Sequence, residues 1–467
     1  MEAILRGYSV NPATWFYLSL LLIVAIFFRF SRLWSLRNFD LGLLLATSPG
    51  LLLVEAGFEG DAQFQIWGYS WLFGISALLL LRLLMDTVLT RRPQFAQNLN
   101  GAGMAFLCIC TFVFLTAQAL TKPPAKPVDL KQVSAAQKSA AAAELAETRG
   151  ASSPEPVPAA ATAKPADSIA SPLIAGPVEM VAEHLKPANG LSADVLAVRI
   201  LATVAHLAVV LGLITVGQRL FGDPLAGWAM ATLYLLLPCT AYGVGEFNHV
   251  FPAALIVWAF VAYRRPVVSG VLLGLACGSM FFPLFLLPLW AAFYGRRGWL
   301  KFAAALGGVM VVLVGGRALM TSVDAISFLQ QAIGTLNMAG LTFRSSENVP
   351  MFWDDSSFFS LYRLPLMVAY FVMLFSLTVW PRHKTVEHLL AHSAAIIVGT
   401  QFWFTQQGGL YLLWYLPLVL MVVFRPRLAH LRPPALEASA LSTSARPMTA
   451  TPGARSGSTA SKLHLFR

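Results

Sequence analysis

Runs of about twenty apolar residues recur along this chain, and most of them end in a short cluster of arginines. The first, "PATWFYLSLLLIVAIFF" at 12–28, closes on Arg29, Arg32 and Arg37. A bilayer span needs about 20 apolar residues. Inside lipid, backbone polar groups must be satisfied within the segment, so a chain built of such runs folds as helices. Spans are predicted near 13–30, 40–57, 67–90, 101–120, 195–217, 225–243, 250–263, 301–320, 358–380, 386–404 and 409–424. The expected fold is all-α and polytopic. The first run ends in arginines rather than in small residues suited to cleavage, so it reads as a retained span.

The stretch "VVSGVLLGLACGSMFFPLFLLPLWAAFY" at 267–294 is long enough for one helix or two short ones. Arg264–Arg265 precede it and Arg296–Arg297 follow it. Basic flanks mark the cytoplasmic side, so the segment should go in and come back, turning near Phe282–Pro283. With that choice the basic clusters at 29–37, 82–92, 264–265, 296–301, 382–384 and 425–427 all land inside. About 13 spans result, with the N-terminus outside, the C-terminus cytoplasmic and the plasma (inner) membrane as the expected location.

Composition agrees with this trace: 57% of residues are hydrophobic, 12% are charged and mean hydropathy is +0.67, which excludes an ordinary soluble domain. The net charge of +11 is therefore read as topological, not as a nucleic-acid footprint. Cys108, Cys110, Cys239 and Cys277 lie within predicted spans without metal-ligand spacing and read as packing residues.

Residues 122–190 contain few large apolar side chains and read as a disordered external linker, with a short helix expected around 139–147. They separate a four-helix N-terminal part, 1–121, from a larger membrane bundle, 191–425. The rest of the chain, 426–467, is expected to be a disordered cytoplasmic tail, rich in Ala, Ser, Thr and Pro from residue 433.

Polar side chains collect on the predicted external face. "YGVGEFNHVFP" places Glu246, Asn248 and His249 at the tip of a helical hairpin. Glu55, Glu59 and Asp61 join them, with Arg317 and the loop bearing Arg344, Glu347, Asn348, Asp354, Asp355 and Arg363. External loops tolerate carboxylates without any special role, and Asp354–Asp355 also suit the cap of a helix beginning near Ser356. Arg317 lies nearer the hydrocarbon, where a cation usually has a partner. Glu246 and His249 suit either a hydrogen bond that holds the hairpin or a reactive pair. Gly270, Gly274 and Gly278 form a small-residue stripe for close helix packing. "QFWFTQQGGLYLLWYLP" at 401–417 reads as an interfacial aromatic belt, with Gln401, Gln406 and Gln407 able to bond a sugar. No phosphate-binding loop, zinc-protease or serine-hydrolase motif is present.

From about 190 to 425 the chain resembles the C-type (GT-C) polytopic membrane glycosyltransferase superfamily, nearest its mannosyltransferase-like family 87. The resemblance rests on Arg199–Ala202, Gly217–Arg219, the polar tip Gly245–Asn248, the "RRP" and glycine-stripe helix, the proline-broken helix pair and "YLLWYLP". It implies a polyprenyl-phosphate-linked sugar donor, transfer on the external face and an acidic base in the first long external loop. Two positions depart from the pattern. The helix-pair tip, often Lys-Pro in the family, is Phe282–Pro283, and the linker lacks an acidic pair.

Glycosyl transfer needs a carboxylate to take the acceptor's proton and cations to hold the leaving phosphate. Glu246, Asp354 and Asp355 are the candidate catalytic acids. Asn248, His249, Arg317, Arg344 and Arg363 are the candidate substrate-binding groups, since a guanidinium fork matches phosphate oxygens. A divalent cation bridging Asp354, Asp355 and phosphate stays open. Membrane lipids and a lipid-linked sugar are the expected partners. The competing expectations are a catalytically silent scaffold, with these groups paired and the cavity closed, and a transporter or flippase, with a polar path reaching the cytoplasmic end. The sequence reads as having few interior charges toward that end.

Overall fold

The structure, a computed structural model, describes residues 12–59, 62–86, 97–121, 193–321, 363–403 and 411–434. Among them every regular element is helical. In chain order the main helices are α1 (Pro12–Phe27), α2 (Leu36–Leu45), α3 (Thr47–Glu59), α4 (Ala62–Met85), α5 (Gly101–Thr121) and α6 (Ala193–Val216). There follow α7 (Pro224–Leu236), the short α8 (Pro238–Tyr242), α9 (Phe247–Val261), α10 (Pro266–Ser279), α11 (Leu287–Thr321), α12 (Arg363–Val379), α13 (Val386–Thr400) and α14 (Leu412–Phe424). Five stretches are long and apolar enough to cross a membrane: Leu36–Gly57, Gln63–Met85, Gly101–Leu120, Leu196–Phe221 and Gly298–Gly316. The remaining apolar helices are shorter, at 10–17 residues. The linker expected at 122–190, its alanine-run helix and the chain after residue 434 lie outside the described residues.

Helices from both ends of the chain share one apolar core, from Trp15 to Leu428. Ser76 Oγ meets Tyr415 OH at 3.2 Å, and Thr232 Oγ1 donates to the Met104 carbonyl at 3.3 Å. Outward faces stay apolar: Phe106, Val311, Val312, Val368 and Phe375 are all exposed. Water disfavours so much apolar surface; hydrocarbon accommodates it.

Because helix ends leave carbonyls without intrahelical partners, each break in this bundle needs a donor from elsewhere. At the end of α1, Asn98 Nδ2 donates to the Ala25 and Phe28 carbonyls and Asn98 N–H to Ile26, while Arg37 Nε donates to Phe27 at 2.8 Å. The break between α2 and α3 frees the Ala46 carbonyl, which the Trp71 indole satisfies at 2.6 Å. After α6 a π-turn, Gly217–Phe221, ends on Gly222 at φ 69°, and Asp223 caps α7 by accepting from Leu225 and Ala226 N–H.

The 267–294 stretch does double back. α10 runs 14 residues, about 21 Å against a hydrocarbon core of ~30 Å. Met280 is extended, a 3-10 turn follows over Phe282–Leu286, and Tyr294 OH donates to the Tyr263 carbonyl at 2.8 Å. The end of the hairpin thus lies beside its beginning. Chain reversal begins at Ser279–Met280, slightly before the expected Phe282–Pro283, because the proline sits at the start of the 3-10 turn. Gly295, at φ 61°, then breaks α11, and its second half packs on the glycine stripe. A Cβ at Gly270 would lie 2.5 Å from the Phe302 carbonyl oxygen, so only glycine permits that approach.

Candidate functional site

The polar tip forms at the N-terminus of α9. Glu246 occupies the cap position, held by its own N–H donating to the Gly243 carbonyl at 3.0 Å, and its side chain makes no capping bond. The side chain is instead 54% exposed, with Oε2 3.5 Å from His249 Nε2. His249 Nδ1 accepts from the Trp414 indole N–H at 2.8 Å. An indole only donates, so Nδ1 is an acceptor and the ring proton of neutral His249 resides on Nε2, facing Glu246. Trp414, His249 and Glu246 form a directed chain that leaves Glu246 Oε1 outside this contact.

Behind the tip the aromatic rings are core rather than an open platform. Trp414 is fully buried, stacks on Tyr411 at 4.1 Å and on Phe282 at 4.4 Å, and touches Phe281 edge-on. Trp403, also fully buried, continues the cluster through Phe281 and Phe285. Its carbonyl accepts from Arg363 Nε at 2.6 Å. The "YLLWYLP" stretch thus packs inward, where an interfacial belt was expected. Gln401 is buried as well, and Gln406 and Gln407 lie outside the described residues.

Of the sequence-selected groups, the structure joins Glu246 to His249, leaves Asn248 exposed, and bonds Arg363 to the Trp403 carbonyl of the same aromatic cluster. Arg317 falls within α11, with its side chain outside the description. Arg344, Asp354 and Asp355 lie outside the described residues, as does any cation they would hold. Among the described residues no three His, Cys, Asp or Glu side chains gather as a metal set.

Two features were not among the site candidates chosen from the sequence. Arg199, on α6, is 8% exposed with no hydrogen-bond partner at Nη1, a buried cation in the half of α6 that leads toward His206 and the hairpin tip. Its sequence signals are an arginine four residues inside a predicted span and its place in the Arg199–Ala202 feature of the resemblance.

The second is a buried ionic chain at the opposite end of the bundle. Asp40 on α2 grips Arg82 on α4 through both oxygens, at 2.6 and 2.9 Å. Arg82 Nη1 reaches Asp86 Oδ1 at 3.0 Å, Asp86 Oδ2 accepts from Arg425 Nε at 3.2 Å, and Arg425 Nη1 meets Glu387 Oε1 at 2.7 Å. Signs alternate along it, three carboxylates against two guanidinium groups. That end is therefore richer in interior charge than the sequence suggested. Asp86 stands within a basic flank that had been read for topology alone, and Asp40 and Glu387 each follow such a flank by three residues; the Arg82–Asp86 spacing of four was the visible sign. Lys384 lies near this end, its Nζ donating to the Thr378 and Pro381 carbonyls at 2.7 and 2.9 Å, and burial lowers its pKa.

Comparison with protein-family models, with curated proteins and with solved structures finds no match for this chain.

Proposed function

We propose that the protein is a plasma-membrane glycosyltransferase of GT-C type, crossing the bilayer about 13 times, that transfers a sugar from a polyprenyl-phosphate donor on the face bearing Glu246. The observation that carries the reading is the Trp414–His249–Glu246 chain, which holds an exposed carboxylate with one oxygen outside the His249 contact. In the proposed step the acceptor hydroxyl oxygen bonds to the anomeric carbon as the carbon–phosphate oxygen bond breaks. The leaving phosphate takes the electron pair, and Glu246 takes the hydroxyl proton. Arg199 and Arg363 are the described cations on offer to the phosphate, with Arg317 and Arg344 the further candidates from the sequence.

The resemblance of residues 190–425 to that superfamily supports the reading, as does a fold of apolar helices in which the proline-broken pair doubles back. The test is transfer of radiolabelled sugar from polyprenyl-phosphate donors by the chain in proteoliposomes. Glu246→Gln should abolish transfer, and full retention would remove Glu246 from the mechanism.

One observation favours a second reading, a catalytically silent membrane scaffold. Where the family often carries a lysine, Phe282 is buried and stacked on Trp414. Absence of transfer from every donor by intact, folded wild-type chain would select that reading.

A further inference from the structure

Between α1 and α2 the chain makes a tight knuckle, "RFSRLWS", whose shape is set by one buried side chain. Asn38 Oδ1 accepts from the Arg29 N–H at 2.9 Å, and its Nδ2 donates to the carbonyls of Arg29, Arg32 and Leu33 at 3.0, 3.0 and 3.1 Å. Asn38 is itself 6% exposed and cannot follow solvent. What this frame presents outward is unusual for a locked turn. Phe30 and Leu33 are exposed and Trp34 is 103% exposed, alternating with the exposed arginines 29 and 32.

Beside the knuckle opens a cleft of about 620 Å³. Arg29, Ser31, Arg37, Gln97 and Asn98 supply its polar lining and Phe28 and Phe30 an apolar wall, and no carboxylate is among its described lining residues. Arg29 Nε is oriented by Ser31 Oγ at 3.2 Å. Arg29, exposed at this cleft, and the exposed Arg32 beside it on the knuckle offer guanidinium groups with no carboxylate in the described lining and call for an anion, while the buried Arg37 is already engaged by the Phe27 carbonyl. Exposed Trp, Phe and Leu at the ends of apolar helices match the polar–apolar boundary of a bilayer, where Trp is enriched.

We infer that the Arg29–Trp34 knuckle is a binding site for the headgroup phosphate of an anionic phospholipid, with Phe30, Leu33 and Trp34 inserted among the acyl chains around it. The inference rests on the membrane reading above, though not on sugar transfer or on which leaflet the knuckle faces. A lipid fits better than a soluble anion because it satisfies both halves of the surface, the arginines by its phosphate and the three apolar side chains by its tails. The cleft belongs to the end of the bundle away from Glu246, so it is separate from the proposed donor site.

The test uses the full chain solubilised in a mild non-ionic detergent, with native mass spectrometry in equal concentrations of phosphatidylglycerol or phosphatidylcholine. Phosphatidylglycerol should be retained in preference, and the double variant Arg29→Gln/Arg32→Gln should lower that retention by about fivefold per arginine. Its unfolding temperature in phosphatidylcholine should be unchanged, because both side chains are exposed. Trp34→Ala should lower retention without altering charge. Equal retention of the two lipids by wild type, or undiminished phosphatidylglycerol on the double variant, overturns the proposal. Displacement by an equal concentration of inorganic phosphate would assign the cleft to a free anion and overturn the lipid. Loss of a co-purifying protein in the variant, with lipid retention intact, would overturn it in favour of a protein partner. Recovery of wild-type chain in the soluble fraction without detergent would instead remove the membrane premise, and is read separately from lipid retention.

Discussion

Asp86 and Arg425, 339 positions apart in the chain, meet as a buried ion pair in which the guanidinium Nε lies 3.2 Å from the carboxylate Oδ2. Asp86 belongs to the N-terminal helices and Arg425 to the end of the last described helix. Their pairing, extended through Arg82 to Asp40 and through Glu387 to α13, fastens the two parts of the chain at one end of the bundle. Taking such charges from water is costly, and the alternating chain offsets that cost only while every member is present.

Removing one member should therefore be expensive. Asp86→Asn takes one of two carboxylate partners from Arg82, which keeps Asp40, and from Arg425, which keeps Glu387, and is expected to destabilise the protein by about 1–3 kcal/mol. Thermal unfolding in detergent measures it. A cycle with Arg425→Gln should be non-additive, the double variant losing less than the two singles together.

Trp414→Phe keeps an aromatic ring in the stack and deletes the indole N–H together with part of the ring volume. His249 Nδ1 then has no donor, and the imidazole should lose its fixed tautomer. Histidine ¹⁵N chemical shifts, read in the wild type and the variant, report the protonated nitrogen directly. An unchanged tautomer would show that Glu246, not Trp414, sets the ring.

Gly270→Ala brings a methyl group against the Phe302 carbonyl, and the two helices cannot separate without disturbing Phe302, itself 2% exposed. Overpacking of this kind costs about 1–3 kcal/mol. Gly307→Ala, on the same partner helix where nothing lies within 4 Å, is the matched control and should be near neutral in the same unfolding assay.

Asn38→Ala removes four hydrogen bonds at once from the 29–33 turn. At roughly 1 kcal/mol each the loss is about 2–4 kcal/mol, since some carbonyls regain water. Faster amide exchange confined to residues 28–38 would locate the effect.

The charge trace carries its own test. On a background with the native cysteines replaced, a membrane-impermeant thiol reagent should label a cysteine placed at Ser152 from outside and miss one placed at Arg297. The reverse pattern would overturn the orientation.

Helix positions were legible because apolar runs of a set length bounded by arginines leave a lipid-solvated chain few alternatives, and the doubling back at 267–294 followed from matching flanks alone. The glycine stripe was legible for a similar reason: a four-residue period on one helix face is a local signal. The interior ion chain was not. Arg82 and Arg425 look the same in sequence whether they end a helix in headgroups or turn inward, and the choice depends on where Asp40 and Asp86 arrive.

The Glu246–His249 contact, three residues apart at a helix start, could be suspected from spacing. That Trp414 fixes the imidazole's proton required α9 and α14 to pack together. The sequence by itself thus determined that this chain is helical, apolar and punctuated by basic turns, because hydropathy and charge act on each segment separately. Only the tertiary structure decided which charges face one another, which aromatic rings are core, and which turn stands proud with its tryptophan exposed. Those outcomes depend on contacts between segments hundreds of residues apart, and no local pattern encodes them.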